Sequence, residues 1–161
     1  MKAAVLCNGP SRTLFNNPDG FNYIIGCNIP WTKVDTTVII DFEVFDKWDN
    51  PTKFFSTVDA WRDCRNKKKF SDYFLGFVDK LKDYDSAGHV ACRKLIEMDP
   101  SQIDIYGCDS WWENNTESFT HKYVDTRTVN MDRHVIVWRE RWKGLIESNP
   151  NIVFNFIGEP K

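Results

Sequence analysis

Short apolar runs that each end in small or polar residues constrain this chain more than any other feature. Five are clear, and they lie at residues 3–7, 23–27, 36–40, 103–106 and 152–157. Because successive residues in these runs are apolar, both faces of each run are expected to be buried, as in a parallel sheet covered by helices. Residues 53–61 contain a weaker candidate for one more strand.

Three helices are predicted between and after these strands. Ser71, Ser86 and Asn130 are the expected N-caps, and the last two helices should end before Pro100 and at Asn149–Pro150. The residues expected to face inward are, in order, Phe74, Phe77, Val78 and Leu81; Ala87, Val90, Ala91 and Leu95; and Val135, Trp138, Trp142 and Leu145. Alternating strands and helices predict an α/β fold with a mostly parallel sheet and helices on both faces.

Length and charge limit the classes of function. A chain of 161 residues is expected to form one domain, residues 1–161. Its 21 basic and 23 acidic residues give a net charge of -2, which argues against a basic nucleic-acid-binding protein, and the three lysines at 67–69 are interpreted as a solvated face. No apolar run approaches the 18 residues that a transmembrane helix needs.

The five cysteines give no sign of a metal centre. They are widely spaced, with no CxxC pair and no histidine at zinc-ligand spacing. Free, mostly buried thiols are therefore expected, together with a cytoplasmic location and no metal or other cofactor.

Polar residues follow the predicted strands at their carboxyl ends, where ligands bind in open parallel sheets. These residues are Asn8, Gly9, Ser11 and Arg12; Asn28; Asp41 and Glu43; and Gly107 and Asp109. Small, amide, hydroxyl and acidic groups on an apolar scaffold predict a site for a polar small molecule.

The loop after the first strand carries the strongest indication of a ligand. Gly9 allows the backbone to approach a ligand closely, and Pro10-Ser11 is suited to start a helical turn whose N–H groups accept a phosphate. Ser11 would add a hydroxyl and Arg12 a cation. A plain tight turn is the alternative, and the loop matches neither GxGxxG nor a Walker A motif.

Three further side chains have open roles. Asp41 and Asp109 are each suited to bind ribose hydroxyls, to bind a divalent metal ion or to cap the next helix. His121 lies in the tract after Asp109 and is a candidate general base, although a surface histidine is the plainer interpretation.

Five ordered blocks of the sequence resemble the bacterial lipooligosaccharide sialyltransferases. Val5-Leu6-Cys7-Asn8-Gly9-Pro10-Ser11 is similar to their amino-terminal strand and Gly-Asn-Gly-Pro-Ser loop, and Cys27-Asn28 to their second-strand Cys-Asn. Ser86-Ala87-Gly88 resembles their Thr-Ser-Gly helix start, residues 103–109 their strand ending in Gly-x-Asp, and residues 130–158 their last helix and strand. The same ordered blocks also resemble those of the related family that is hydroxymethylpterin pyrophosphokinase-like.

The resemblance implies a Rossmann-like domain that binds a CMP-sugar without a metal ion, and it implies self-association. Asn8, Gly9 and Ser11 would hold the phosphate and ribose, and Asn28 the nucleotide. Ser86 and Gly88 would contact the sugar or phosphate, and Asp109 the base or ribose; Gly107 belongs to the Gly-x-Asp block.

The chain departs from those enzymes where their catalytic groups lie. Arg127 stands at the spacing of their lid histidine, and Trp111, Trp112 and Phe119 occupy the tract of their phosphate-binding tyrosines. His121 and Tyr123 lie nearby. One hypothesis is a glycosyltransferase with His121 as base, in which Arg12 or the loop donors around Ser11 would stabilise the leaving phosphate.

Two other functions remain open. A nucleotide-binding or sequestering protein without transfer activity is one, with Trp111-Trp112 either exposed as a protein-binding anchor or folded back over the sheet. A pyrophosphokinase-like phosphoryl transferase is the other, in which Asp41, Glu43 and Asp109 would hold Mg²⁺.

Overall fold

The computed structural model describes residues 1–81, 85–114 and 131–161, with side chains from His134 onward in the last range. Seven parallel strands form one sheet in the order β5-β4-β3-β2-β1-β6-β7. Their bounds are β1 Lys2–Leu6, β2 Tyr23–Cys27, β3 Thr36–Ile39, β4 Phe54–Ser56, β5 Phe74–Phe77, β6 Gln102–Tyr106 and β7 Val153–Phe156. This is the predicted α/β fold of the Rossmann-like type.

In the described ranges, four α-helices and five short 3-10 helices connect the strands. The α-helices are α1 Val58–Arg62, α2 Lys67–Phe70, α3 Ala87–Ile96 and α4 Met131–Ser148. The 3-10 helices are Pro10–Leu14, Pro18–Gly20, Phe42–Lys47, Ser71–Tyr73 and Asp109–Trp111.

Each face of the sheet has its own hydrophobic layer. Val5, Ile25 and Ile105 on one face pack with α3 and Trp142 of α4 in the largest cluster. The opposite face is covered by shorter elements: one cluster contains residues of α1, α2 and the 3-10 helix Phe42–Lys47, and another contains Phe15 and Val34. Both faces are thus covered, as predicted, and the two longest helices that the structure describes, α3 and α4, lie on the same face.

The prediction of a helix after Ser71 is wrong. Ser71–Tyr73 is a single 3-10 turn, and Phe74–Phe77 is strand β5, paired in parallel with β4. The apolar spacing suits either structure, but Phe74 stacks on Trp61 of α1 with ring centroids 4.6 Å apart. Strand pairing and this aromatic contact, both tertiary, outweigh the local pattern.

The two other helices are confirmed. Ser86 caps α3, whose predicted inward residues Ala87, Val90, Ala91 and Leu95 are buried. In α4, Val135 and Trp142 are buried, and Leu145 packs against the core. Its predicted cap, Asn130, lies outside the described residues. Within the described part of the chain, no helix is long and apolar enough to cross a membrane.

Candidate functional site

The strand order reverses at β1, because the chain adds β2 to β5 on one side of it and β6 and β7 on the other. In open α/β sheets this reversal marks the ligand-binding crevice at the carboxyl ends of the strands. We call the region after β1, β2, β3 and β6, with the start of α3, the carboxyl-edge site. The predicted polar residues lie there because parallel strands end at the same edge.

The loops after β1 and β6 are bonded directly to each other. The Gly9 amide donates to the Gly107 carbonyl at 2.8 Å. The Ser11 amide donates to both carboxylate oxygens of Asp109 at 2.8 and 3.1 Å, and the Ser11 hydroxyl accepts from the Gly107 amide at 3.2 Å. These contacts form a clamp, which we call the β1–β6 clamp.

The β1–β6 clamp gives the loop after β1 a structural role, whereas the sequence predicted that its N–H groups accept a phosphate. The helical turn exists as Pro10–Leu14, with Pro10 at its start. However, the Ser11 amide that was expected to meet a phosphate is bound by Asp109, a carboxylate of the same chain. A ligand phosphate would have to displace that buried carboxylate, so the Ser11 amide serves to join two loops.

The two glycines of the clamp have a packing explanation. A Cβ at Gly9 would lie 2.5 Å from the Gly107 carbonyl oxygen and 2.7 Å from an Asp109 oxygen. Gly107 has φ of +70°, and a Cβ there would lie 2.6 Å from the Cys7 carbonyl oxygen. Glycine at both positions therefore brings the two loops together, whereas the sequence suggested close approach to a ligand.

Asn8 and Asn28 tie the ends of the neighbouring strands together. The Asn8 amide nitrogen donates to the Cys27 carbonyl at 2.7 Å, and its oxygen accepts from Arg12 at 3.2 Å. Asn28 is buried, with φ of 59°, and its carbonyl accepts from the Thr37 hydroxyl at 2.7 Å. Thr37 on β3 belongs to this network, and no sequence motif indicated it.

Asp41, in the carboxyl-edge site, has a carboxyl group whose pKa is raised. Burial raises the pKa of its carboxyl group, and nearby Glu43 acts in the same direction. Lys80 and a hydrogen bond from Asn28 oppose this rise in pKa. The Asp41 side chain does not cap the 3-10 helix that follows it. Asp41, Asn28 and Lys80 thus form a second polar cluster, beside the β1–β6 clamp.

The acids proposed for Mg²⁺ do not converge. Asp41 follows β3 and Asp109 follows β6, with β2 and β1 between them. Three strand spacings separate their strand ends by about 14 Å, too far for one metal ion. In the ranges that the structure describes, no group of three or more His, Cys, Asp or Glu side chains is arranged to hold a metal.

The start of α3 meets the end of β1. A Cβ at Gly88 would lie 2.8 Å from the Cys7 sulfur, so glycine allows the helix to approach the strand. The Ser86 hydroxyl lies 2.8 Å from Nδ1 of His89 and caps the helix. Ser86 and Gly88 therefore have structural roles at the edge where they were predicted to bind the sugar or phosphate.

Of the two predicted catalytic residues, Arg12 lies in the described part of the chain. The Arg12 guanidinium lies over the Trp31 ring, 5.2 Å from its centroid, and also contacts Asn8. His121 lies outside the described residues, as do Phe119, Tyr123 and Arg127. Trp31 was not predicted to take part, and its position beside Arg12 depends on the long loop between β2 and β3.

Trp111 and Trp112 fold back over the sheet. Trp111 stacks on Phe156 of β7 with ring centroids 4.4 Å apart, and both tryptophans pack against the main core. Both side chains are half-buried against the core, so of the two alternatives the structure favours tryptophans folded back over the sheet, and not an exposed protein-binding anchor.

Comparison of the chain with protein-family models, with curated proteins and with solved structures gave no match.

Proposed function

We propose that this protein binds a nucleotide or nucleotide sugar at the carboxyl-edge site. The observation that carries the proposal is the reversal of strand order at β1, with polar side chains after each of the four strands around it. Because the Ser11 amide is bound to Asp109, the ligand would lie toward β2 and β3, against Asn28 and Asp41. There Lys80 supplies positive charge, and the start of α3 adds its dipole.

We further propose that the bound ligand is a CMP-sugar and that the reaction is glycosyl transfer. An acceptor hydroxyl oxygen would form a bond to the anomeric carbon, while the bond from that carbon to the phosphate oxygen breaks. CMP leaves with the bonding electron pair, and a base takes the hydroxyl proton. His121 is the proposed base and Arg12 the group that stabilises the leaving phosphate.

A ligand screen tests the binding. Thermal unfolding is measured with CMP, CDP, UDP, ATP and GTP, each with and without Mg²⁺. We expect CMP to stabilise the protein without Mg²⁺, by about 2.7 kcal/mol at 100 times its dissociation constant. A shift with ATP that needs Mg²⁺ would favour phosphoryl transfer instead, and no shift with any nucleotide would refute the proposed site.

Asn28→Gly is the sharpest variant for this test. Glycine accepts the φ of 59° that alanine would resist, so the variant removes the side chain without backbone strain. We expect it to weaken CMP binding at least tenfold. Ser101→Gly, an exposed position just before β6 at the opposite edge of the sheet, is the control and should bind as the parent does.

Catalysis needs a separate measurement, namely release of CMP from a CMP-sugar in the presence of acceptors. His121→Ala should lower the turnover by about 10²-fold or more while the affinity for CMP stays the same. Unchanged turnover would show that His121 is not the base. Binding of CMP without any release of CMP from the donor would favour the nucleotide-binding protein that lacks transfer activity.

A further inference from the structure

Residues 78–81, which follow β5, bring Lys80 to the carboxyl-edge site, and we call them the β5 strap. The Val78 amide donates to the Ser56 carbonyl at 2.9 Å, so the strap begins at the carboxyl end of β4. From β5 to β3 is two strand spacings, about 10 Å, and the long side chain of a lysine crosses much of that distance. Burial raises the pKa of the Asp41 carboxyl group, and the positive charge of Lys80 opposes that rise.

Asp85 lies beyond the strap, just before the N-cap of α3. Its side chain is fully buried, and its carboxylate accepts from both terminal nitrogens of Arg93 on α3. The same carboxylate accepts from the Leu81 amide at 2.9 Å, and a nitrogen of Arg141 on α4 lies 4.0 Å from it. Because a buried carboxylate needs cationic and N–H partners, Asp85 brings one arginine from each of these helices to the end of the strap.

The two arginines also hold the strap backbone directly. Arg93 donates to the Asp79 carbonyl at 3.1 Å, and Arg141 donates to the Leu81 carbonyl at 2.6 Å. β5 ends before these groups, so its pairing with β4 does not fix them. The residues on both sides of Lys80 are therefore held by the buried carboxylate and by the two cations beside it.

We propose that Asp85 is a positioning residue, which holds the β5 strap so that Lys80 faces the ligand in the carboxyl-edge site. Asp85 does not touch the ligand, and it acts through the strap and the two arginines. The part of the proposal that concerns the ligand rests on the proposed function, whereas the position of Lys80 beside Asp41 does not. The two parts therefore need separate measurements.

The ionisation of Asp41 reports the position of Lys80 without any ligand. Asp85→Asn keeps the shape of the side chain and one acceptor oxygen but removes the charge that pairs with the arginines. We expect the pKa of Asp41, followed by NMR of its carboxyl carbon across a pH series, to rise because Lys80 moves away. Loss of a negative charge at Asp85 would by itself lower the pKa of Asp41, so the sign separates the two effects. A pKa that falls or stays the same would overturn the proposal.

A double-variant cycle tests whether Asp85 acts through Lys80. Lys80→Gln should also raise the pKa of Asp41, because it removes the positive charge. Asp85→Asn added to Lys80→Gln should then cause no further rise, since the two residues act as one unit. An equal further rise in the double variant would refute action through Lys80.

Asp104→Asn is the matched control. Asp104 is also a buried carboxylate, 5% exposed, and it accepts from Lys2, Gln102 and Asn155 on the sheet. The control should lower stability, as any loss of a buried charge partner does, and should leave the pKa of Asp41 as in the parent. A rise as large as that in Asp85→Asn would show general loosening of the fold and would overturn the proposal.

Arg93→Lys serves if Asp85→Asn does not fold, which circular dichroism melting checks. Lysine keeps the positive charge beside Asp85 but lacks the planar fork that binds the carboxylate and the Asp79 carbonyl together. We expect the pKa of Asp41 to rise in this variant too. A folded Arg93→Lys variant with the parent's pKa at Asp41 would contradict the proposal.

Calorimetric titration with CMP tests the part that concerns the ligand. Asp85→Asn should bind CMP roughly fivefold more weakly than the parent, as for the loss of one exposed charge pair, and Lys80→Gln should equal the double variant. Unchanged CMP affinity in Asp85→Asn would show that Lys80 does not face the ligand. If the parent binds no nucleotide, the proposed function fails, while a rise in the pKa of Asp41 in Asp85→Asn still supports the positioning of Lys80.

Discussion

At the scale of the single residue, the role of Asp109 is determined by Ser11, a partner about a hundred positions away in the sequence. As a residue just after a strand, Asp109 was a candidate to bind a ribose, to bind a metal ion or to cap the next helix. In the folded chain its buried carboxylate accepts the Ser11 amide and joins the loops after β1 and β6. A charged acceptor for a backbone amide is among the stronger hydrogen bonds in proteins.

Asp109→Ala should therefore lower the free energy of unfolding by about 1–3 kcal/mol, because the Ser11 amide loses its acceptor in a partly buried place. Asp109→Asn keeps an acceptor oxygen and should lose less. Urea denaturation of both variants at pH 7 checks this. Equal stability of the alanine variant and the parent would show that the clamp does not contribute to folding.

Helix α3 carries a buried histidine in its first turn. The Ser86 amide donates to Nδ1 of His89, and Nε2 lies 3.1 Å from the Trp138 carbonyl oxygen, so the neutral ring satisfies both contacts. Burial lowers the pKa of His89 to about 4, although Asp85 and the Trp138 carbonyl oppose this; Arg93 and Arg141 lower it further. A proton on the ring thus favours the unfolded chain.

The stability of the protein should fall as the pH drops from about 6.5 toward 4. In this range the unfolded chain binds a proton at His89 that the folded chain does not, and the loss reaches about 3 kcal/mol. Above pH 6.5 both states are neutral at this residue, and its contribution is constant. The free energy of unfolding, measured by urea denaturation at several pH values, gives the slope.

His89→Gln is the comparison, since glutamine at this position also completes a capping box but does not titrate. The difference in free energy between the parent and this variant should shrink with falling pH. A difference that stays constant from pH 7 to 4 would contradict a buried neutral histidine.

At the scale of the whole molecule, the hydrophobic clusters on the two faces of the sheet contain all five cysteines. Cys7, Cys27, Cys64, Cys92 and Cys108 are free thiols and all are buried. Burial raises the pKa of Cys92 to about 12. The hydrogen bond that the Cys108 thiol donates to Cys7, followed by burial, raises the pKa of Cys108. The thiolate is the reactive form, so both access and ionisation oppose modification.

Labelling of native protein with a thiol reagent should therefore be slower than labelling in denaturant by about a thousandfold or more, since it requires unfolding. In denaturant, all five thiols should react. One thiol that reacts rapidly in the native protein would show that the core opens locally, and Cys64→Ser would identify the cysteine that lies outside the main cluster.

Local sequence determined the elements that need little help from the rest of the chain. The apolar runs of β1, β2, β3, β6 and β7 are short and end at polar residues, and Ser86 and Pro100 bracket α3, so these elements were predicted. The set of polar residues at the carboxyl edge was also predicted, because parallel strands end together.

Tertiary structure decided the rest. Phe74–Phe77 became strand β5 because β4 and Trp61 supply pairing and stacking partners that the local pattern does not contain. The β1–β6 clamp likewise forms because Gly9 and Ser11 meet Gly107 and Asp109, which are distant in the sequence. Trp111 packs on β7 because Phe156 supplies a stacking partner. Whether a polar or aromatic group faces a ligand or its own chain depends on which distant residue arrives beside it, and spacing along the sequence does not contain that information.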